Sequence, residues 1–150
     1  MTSGTGFDLP DEAATRALGA KLARCLRTGD LLLLSGDLGA GKTCLARALI
    51  QTLAGAAVDV PSPTFNLAVP YELPGFPVMH YDLYRLSGPD EVDELGLADA
   101  LDIGAAIVEW PDRLHPDDAA GGVHVEFTLE PVRRAHVRGP EAFMERFYDA

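Results

Sequence analysis

Apolar residues fall into two rhythms along this chain, and their alternation predicts its elements. Between Asp11 and Asp30, Ala14, Leu18, Leu22 and Cys25 or Leu26 share one face at three- and four-residue spacing. That predicts an amphipathic helix opened by Pro10-Asp11 and closed by Gly29. LLLLS at 31–35 has no polar interruption, as in a short strand buried on both faces of a parallel sheet. From Gly41 the helical rhythm returns in GKTCLARALIQTLAG, with Leu45, Ala48, Leu49 and Leu53 facing inward and Gly55 as the stop.

The middle of the chain changes character. Five of its eleven prolines (Pro61, Pro63, Pro70, Pro74 and Pro77) fall between Val60 and Leu86. Pro63 restricts Ser62 to extended geometry, so PSPTF reads as an ordered loop. FNLAVPYE and PVMHYDLY read as two strands joined by an LPGF turn. GPDEVDELGLADAL is helical and acidic with a break at Gly96, and GAAIVEW is a second buried-strand run. GVHVEFTLE alternates, placing Val123, Val125, Phe127 and Leu129 on one side. RRAHVRG is expected to pair with it antiparallel, and PEAFMERFYDA to close the chain as a helix. The sum is a three-layer α/β domain over residues 1–150, with a mostly parallel central sheet and antiparallel edge strands.

Composition adds constraints. No apolar run reaches the roughly 18 residues a membrane span requires. The first residues lack the basic and apolar regions of a signal peptide, so the expected compartment is the cytoplasm. Cys25 and Cys44 sit in separate helical patterns and are expected as free buried thiols. Net charge is −11 and the only lysines are Lys21 and Lys42. Such a surface repels a nucleic-acid backbone, so a role in RNA chemistry would run through a partner.

Gly36-Asp37-Leu38-Gly39-Ala40-Gly41-Lys42-Thr43 fits G-x-x-x-x-G-K-(S/T) between a buried strand and a helix, the context a phosphate loop requires. Its glycines let backbone amides of Leu38, Gly39, Ala40 and Gly41 turn toward phosphate oxygens, and the helix start adds its dipole. Lys42 reaches the outer phosphates, and the Thr43 hydroxyl takes a Mg2+ position. The fold is therefore expected to be that of a P-loop NTPase. Guanine readers use N-K-x-D, which neither lysine can supply, so ATP is the expected nucleotide.

Hydrolysis needs carboxylates near metal and water. Glu109 ends the AAIV run and Asp82 follows VMHY, both at the carboxyl ends of expected strands, where open α/β sheets bind ligands. Their structural alternatives are a surface charge and a helix cap. Thr64 in PSPTF fits a switch threonine or simple turn chemistry. Trp110 fits stacking on a base or partner, or core burial. Arg133 and Arg134 fit nucleotide contact or a solvated pair, and His80 fits an orienter of Asp82 or a core histidine.

GDLGAGKT (36–43), SPTF (62–65), HYDLYRL (80–86) and VEWPDRL (108–114), in that order, resemble the TsaE (YjeE) family. TRALGAKLA and RRAHV extend the likeness over about residues 11 to 138. Asp112 stands where the family usually has Glu, and FNLAVPYE is looser than the usual stretch. The resemblance implies a slow ATPase of bacterial threonylcarbamoyladenosine tRNA modification. It implies docking on the TsaB–TsaD pair, with an ATP cycle that resets that complex and tRNA contacted only through the partners. By the same carry-over Lys42 binds phosphate, and Thr43 and Glu109 bind Mg2+. Asp82 supports metal or water, Thr64 senses the γ-phosphate, Trp110 lies near nucleotide or partner, and Arg133 and Arg134 approach the nucleotide. Two other readings share the phosphate loop: a small-molecule kinase, poorly supplied with lid arginines because Arg85 stands alone between Arg47 and Arg113, and a nucleotide-gated binding module.

Overall fold

The computed structural model describes residues 2–37, 41–55, 68–86 and 89–150. The chain runs β1 (Thr2–Asp8), α1 (Glu12–Cys25), β2 (Leu31–Ser35), α2 (Lys42–Ala54), β3 (Ala68–Tyr71) and β4 (Val78–Asp82). It continues through α3 (Pro89–Val92), a 3-10 turn, α4 (Leu97–Ile103), β5 (Ala105–Glu109), a second 3-10 turn at Pro111–Arg113 and α5 (Pro116–Ala120). β6 (Val123–Thr128), β7 (Arg134–Pro140) and α6 (Glu141–Asp149) complete it.

The strands form one sheet in the order β1-β7-β6-β2-β5-β4-β3. Its centre, β6-β2-β5-β4, is parallel, while β7 and β1 on one side and β3 on the other run antiparallel. The expected architecture is present. β2 shows why: Leu32 and Leu34 enter the large cluster under α1, α2 and α6, while Leu31 and Leu33 enter a second cluster with Leu83, Leu86 and Leu114. All four leucines are buried, each contributing about 1.5–3 kcal/mol of apolar burial.

β6 alternates as expected, with Val123, Val125 and Phe127 buried, but Leu129 lies past the strand end and is exposed. Asp11 caps α1 by accepting from the Ala14 amide at 2.9 Å. The helix stops at Cys25 with Leu26 as its cap, and Gly29 occupies the turn beyond. α1 approaches α2 closely because Gly19 faces Ala48 and the Leu45 carbonyl, where a Cβ would come within 2.9 Å. α6 is pinned by Arg146, which donates to the Cys25 carbonyl (3.0 Å) and to Asp30 (2.8 Å). Both cysteines are free; Cys25 is buried but Cys44 only partly so. β1 has no counterpart in the apolar pattern. It exists by pairing with β7 along its whole length. No helix among the described residues is long and apolar enough to cross a membrane.

Candidate functional site

Adjacent strands β2 and β5 send their connections to opposite faces of the sheet: α2 packs in the larger cluster, while Leu114 and Ala119 after β5 pack in the smaller. A crevice opens between two such strand ends, and ligands of open α/β sheets bind there. Here the crevice is built from the ends of β2, β4 and β5.

Leaving β2, the chain turns at Gly36 (φ 140°) and enters α2 at Gly41 (φ 112°), conformations that suit glycine. A Cβ on Gly36 would also press on the Phe127 carbonyl at 2.8 Å. Gly41 gives α2 no side-chain cap, and the first turn holds no acidic residue. Its amides and dipole are thus left for an anion. Leu38, Gly39 and Ala40 lie outside the described residues, as does Thr64.

Lys42 is 5% exposed. Its Nζ donates to the Gly36 carbonyl and to the Asp37 carbonyl (3.1 Å), and sits 4.0 Å from the centre of the Trp110 ring. Burial lowers its pKa, opposed by the negative charges of Glu109, Asp82 and Asp37. One residue on, Thr43 Oγ1 donates to Glu109 Oε1 at 2.9 Å. Glu109 is 2% exposed, and its second oxygen, Oε2, lies 2.7 Å from His80 Nε2. The parallel register sets Asp82 beside Glu109. Asp82 accepts from the Tyr84 amide (3.1 Å). Its pKa is raised by burial and by the charge of Glu109, against the pull of the Tyr84 hydrogen bond, His80 and Lys42.

Trp110 is the one non-glycine residue with positive φ among the described residues (φ 61°), a conformation that costs about 1–3 kcal/mol for a residue with a side chain. It lays the indole between Lys42 and the ring of Tyr84, whose centre is 4.9 Å away. Lys42, Thr43, Asp82, Glu109 and Trp110 are thus brought together. Arg133, on the β6–β7 turn, and Arg134, the first residue of β7, stand apart and exposed at the same end of the sheet. Arg134 is paired with Asp8 (3.0 Å). Arg133 borders a groove of about 530 Å³ with Asp8, Leu9, Pro10 and Val132, and its charge reaches Cys44 near the start of α2.

Two residues gain importance over the sequence reading. His80 engages Glu109 rather than Asp82, and Tyr84 packs on Trp110. The i, i+2 spacing of His80 and Asp82 was the available signal, since it puts both on one face of β4. Among the described residues no three His, Cys, Asp or Glu side chains form a metal cluster. The donors that do converge, a hydroxyl and a carboxylate, fit Mg2+, which takes few protein oxygens and completes its shell with phosphates and water.

The family described as Threonylcarbamoyl adenosine biosynthesis protein TsaE matches residues 9–136. The chain belongs to the TsaE family. Two proteins named tRNA threonylcarbamoyladenosine biosynthesis protein TsaE are similar to it. That of Rickettsia felis is 43% identical over 104 residues, covering 69% of this chain and 61% of the relative. That of Streptomyces coelicolor is 42% identical over 138 residues, covering 83% and 89% respectively. A solved structure described as "Crystal structure of Bacillus subtilus YdiB" superposes with a TM-score of 0.79 at 23% identity, covering 99% of this chain and 97% of that one. It shares the P-loop-type fold. All four motifs of the resemblance lie within the matched span, and the chain spans about three fifths of the length of the relatives from Rickettsia felis and Rickettsia conorii.

Proposed function

We propose that this chain binds ATP with Mg2+ at the crevice between β2 and β5, hydrolyses it slowly, and acts with the TsaB–TsaD complex in tRNA threonylcarbamoyladenosine modification. In this reading the ATP cycle resets that complex between turnovers. The observation that carries it is the meeting of Thr43 with Glu109 at 2.9 Å beside a buried Lys42. The phosphate-loop glycines and the uncapped start of α2 hold the phosphate chain, with Leu38, Gly39 and Ala40 supplying further amides. Lys42 leaves its loop carbonyls for the outer phosphates. Thr43 and Glu109 hold the cation, which neutralises charge developing on the phosphates. Asp82, its proton affinity raised by burial, orients the attacking water. Thr64 reports the γ-phosphate, Arg133 flanks the nucleotide from the groove, and Arg134 stiffens that wall through Asp8. Net charge of −11 supports leaving tRNA to TsaB and TsaD, in the cytoplasm.

Phosphate release from Mg-ATP, with and without TsaB and TsaD, tests this. Slow turnover abolished by Thr43→Ala and by Glu109→Ala is expected; wild-type rates in both variants would rule out the assigned site. Assembly and cellular function that survive Asp82→Ala would favour the nucleotide-gated module over the hydrolysing switch.

A further inference from the structure

His80 is completely buried on β4, yet among the described residues it makes one polar contact and its Nδ1 has no hydrogen-bond partner. An apolar side chain of similar size would fill the site without stranding a ring nitrogen, so packing alone does not explain a histidine here. Its single contact is informative. Carboxylate oxygens accept, so the 2.7 Å contact is His80 Nε2–H donating to Glu109 Oε2. Glu109 Oε1 is the oxygen that meets Thr43. The two oxygens are therefore distinguished, one tied back to the strand behind it and one turned toward the phosphate loop. The register fixes this, because His80 pairs with Ile107, two residues before Glu109 on the same face of β5.

We propose that His80 is a positioning residue for the cation site: by holding Oε2, it fixes the Glu109 side chain so that Oε1 faces Thr43 and the Mg2+ of the bound nucleotide. This rests on the metal assignment of Thr43 and Glu109 made above. A carboxylate on a flexible side chain, released from that tie, swings toward Lys42 and loses its aim. Partners that hold a ligating carboxylate commonly alter metal affinity by about 10–100-fold.

The test is calorimetric titration of the full chain with a non-hydrolysable ATP analogue, once in excess magnesium and once in EDTA, alongside thermal unfolding. Wild type is expected to gain affinity from magnesium. His80→Leu should keep the EDTA affinity but lose at least about tenfold of the magnesium gain. His80→Gln, whose amide N–H reaches toward Oε2, should recover most of it. Should His80→Leu fail to fold, His80→Asn, too short to reach, takes its place against His80→Gln. A folded Leu or Asn variant with the full magnesium gain overturns the proposal, as does His80→Gln behaving no better than they do. Absence of any magnesium effect in wild type overturns the metal assignment itself, and the proposal with it.

Discussion

Glu109 permits a two-variant experiment whose outcome is fixed by its hydrogen bonds. In Glu109→Ala both partners lose their acceptor: the Thr43 hydroxyl, which is partly exposed and can turn to water, and His80 Nε2–H, which cannot. Hydrogen bonds to a charged group contribute about 1.5–3 kcal/mol each, and a stranded buried donor costs about 1–3 kcal/mol. Relief from burying a carboxylate offsets part of this. The expected net loss is about 2–4 kcal/mol, or about 5–15 °C in Tm for a chain of this size. In Glu109→Gln the amide oxygen still accepts from His80, and the amide N–H donates to the Thr43 hydroxyl. Stability should stay within about 1 kcal/mol of wild type, or about 3 °C. Both variants should lose the magnesium-dependent part of nucleotide affinity. Thermal unfolding by circular dichroism and nucleotide calorimetry in magnesium and EDTA read the two effects separately. A Gln variant as unstable as the Ala variant, or an Ala variant as stable as wild type, would refute the reasoning.

Lys42→Met keeps the buried stem and should leave Tm within about 3 °C of wild type while abolishing ATP binding, as read by calorimetry. Asp82→Asn should flatten the pH dependence of stability. Burial raises the Asp82 pKa above its ordinary 3.8, so the folded state binds this proton more tightly, and stability falls as pH rises through that window. The Asn variant should therefore melt higher than wild type at pH 7, with the gap closing below about pH 4, measured as Tm against pH. Gly104→Ala should cost about 3 kcal/mol in urea unfolding or fail to fold, because its Cβ would overlap the Pro77 carbonyl, a backbone atom that cannot swing aside.

The parts of this protein that sequence reveals are those whose cause is local. Leu31–Leu34 declare a doubly buried strand because all four positions need cover. Gly36 to Thr43 declare a phosphate loop because glycine, lysine and hydroxyl each have a distinct task there. Glu109 and Asp82 were found from their positions at the ends of apolar runs. What sequence conceals is relational. β1, rich in glycine, serine and threonine, carries no strand signal and depends on a partner more than a hundred residues away. The partner of His80 is set by the alignment of β4 on β5. Nothing around Trp110 announces its left-handed backbone or the contact of its indole with Lys42, a residue of a different element. The strand order is likewise the outcome of packing on both faces at once.

β1 also guards a border. The sheet ends on one side in β3, four residues long and carrying Pro70, which offers no amide to a neighbour. On the other side β1 clothes β7 from end to end and ties Asp8 to Arg134. Deleting residues 2–8 would move the open rim of the sheet inward from β1 to the seven residues of β7, free Arg134 from Asp8, and loosen the groove wall in the same stroke.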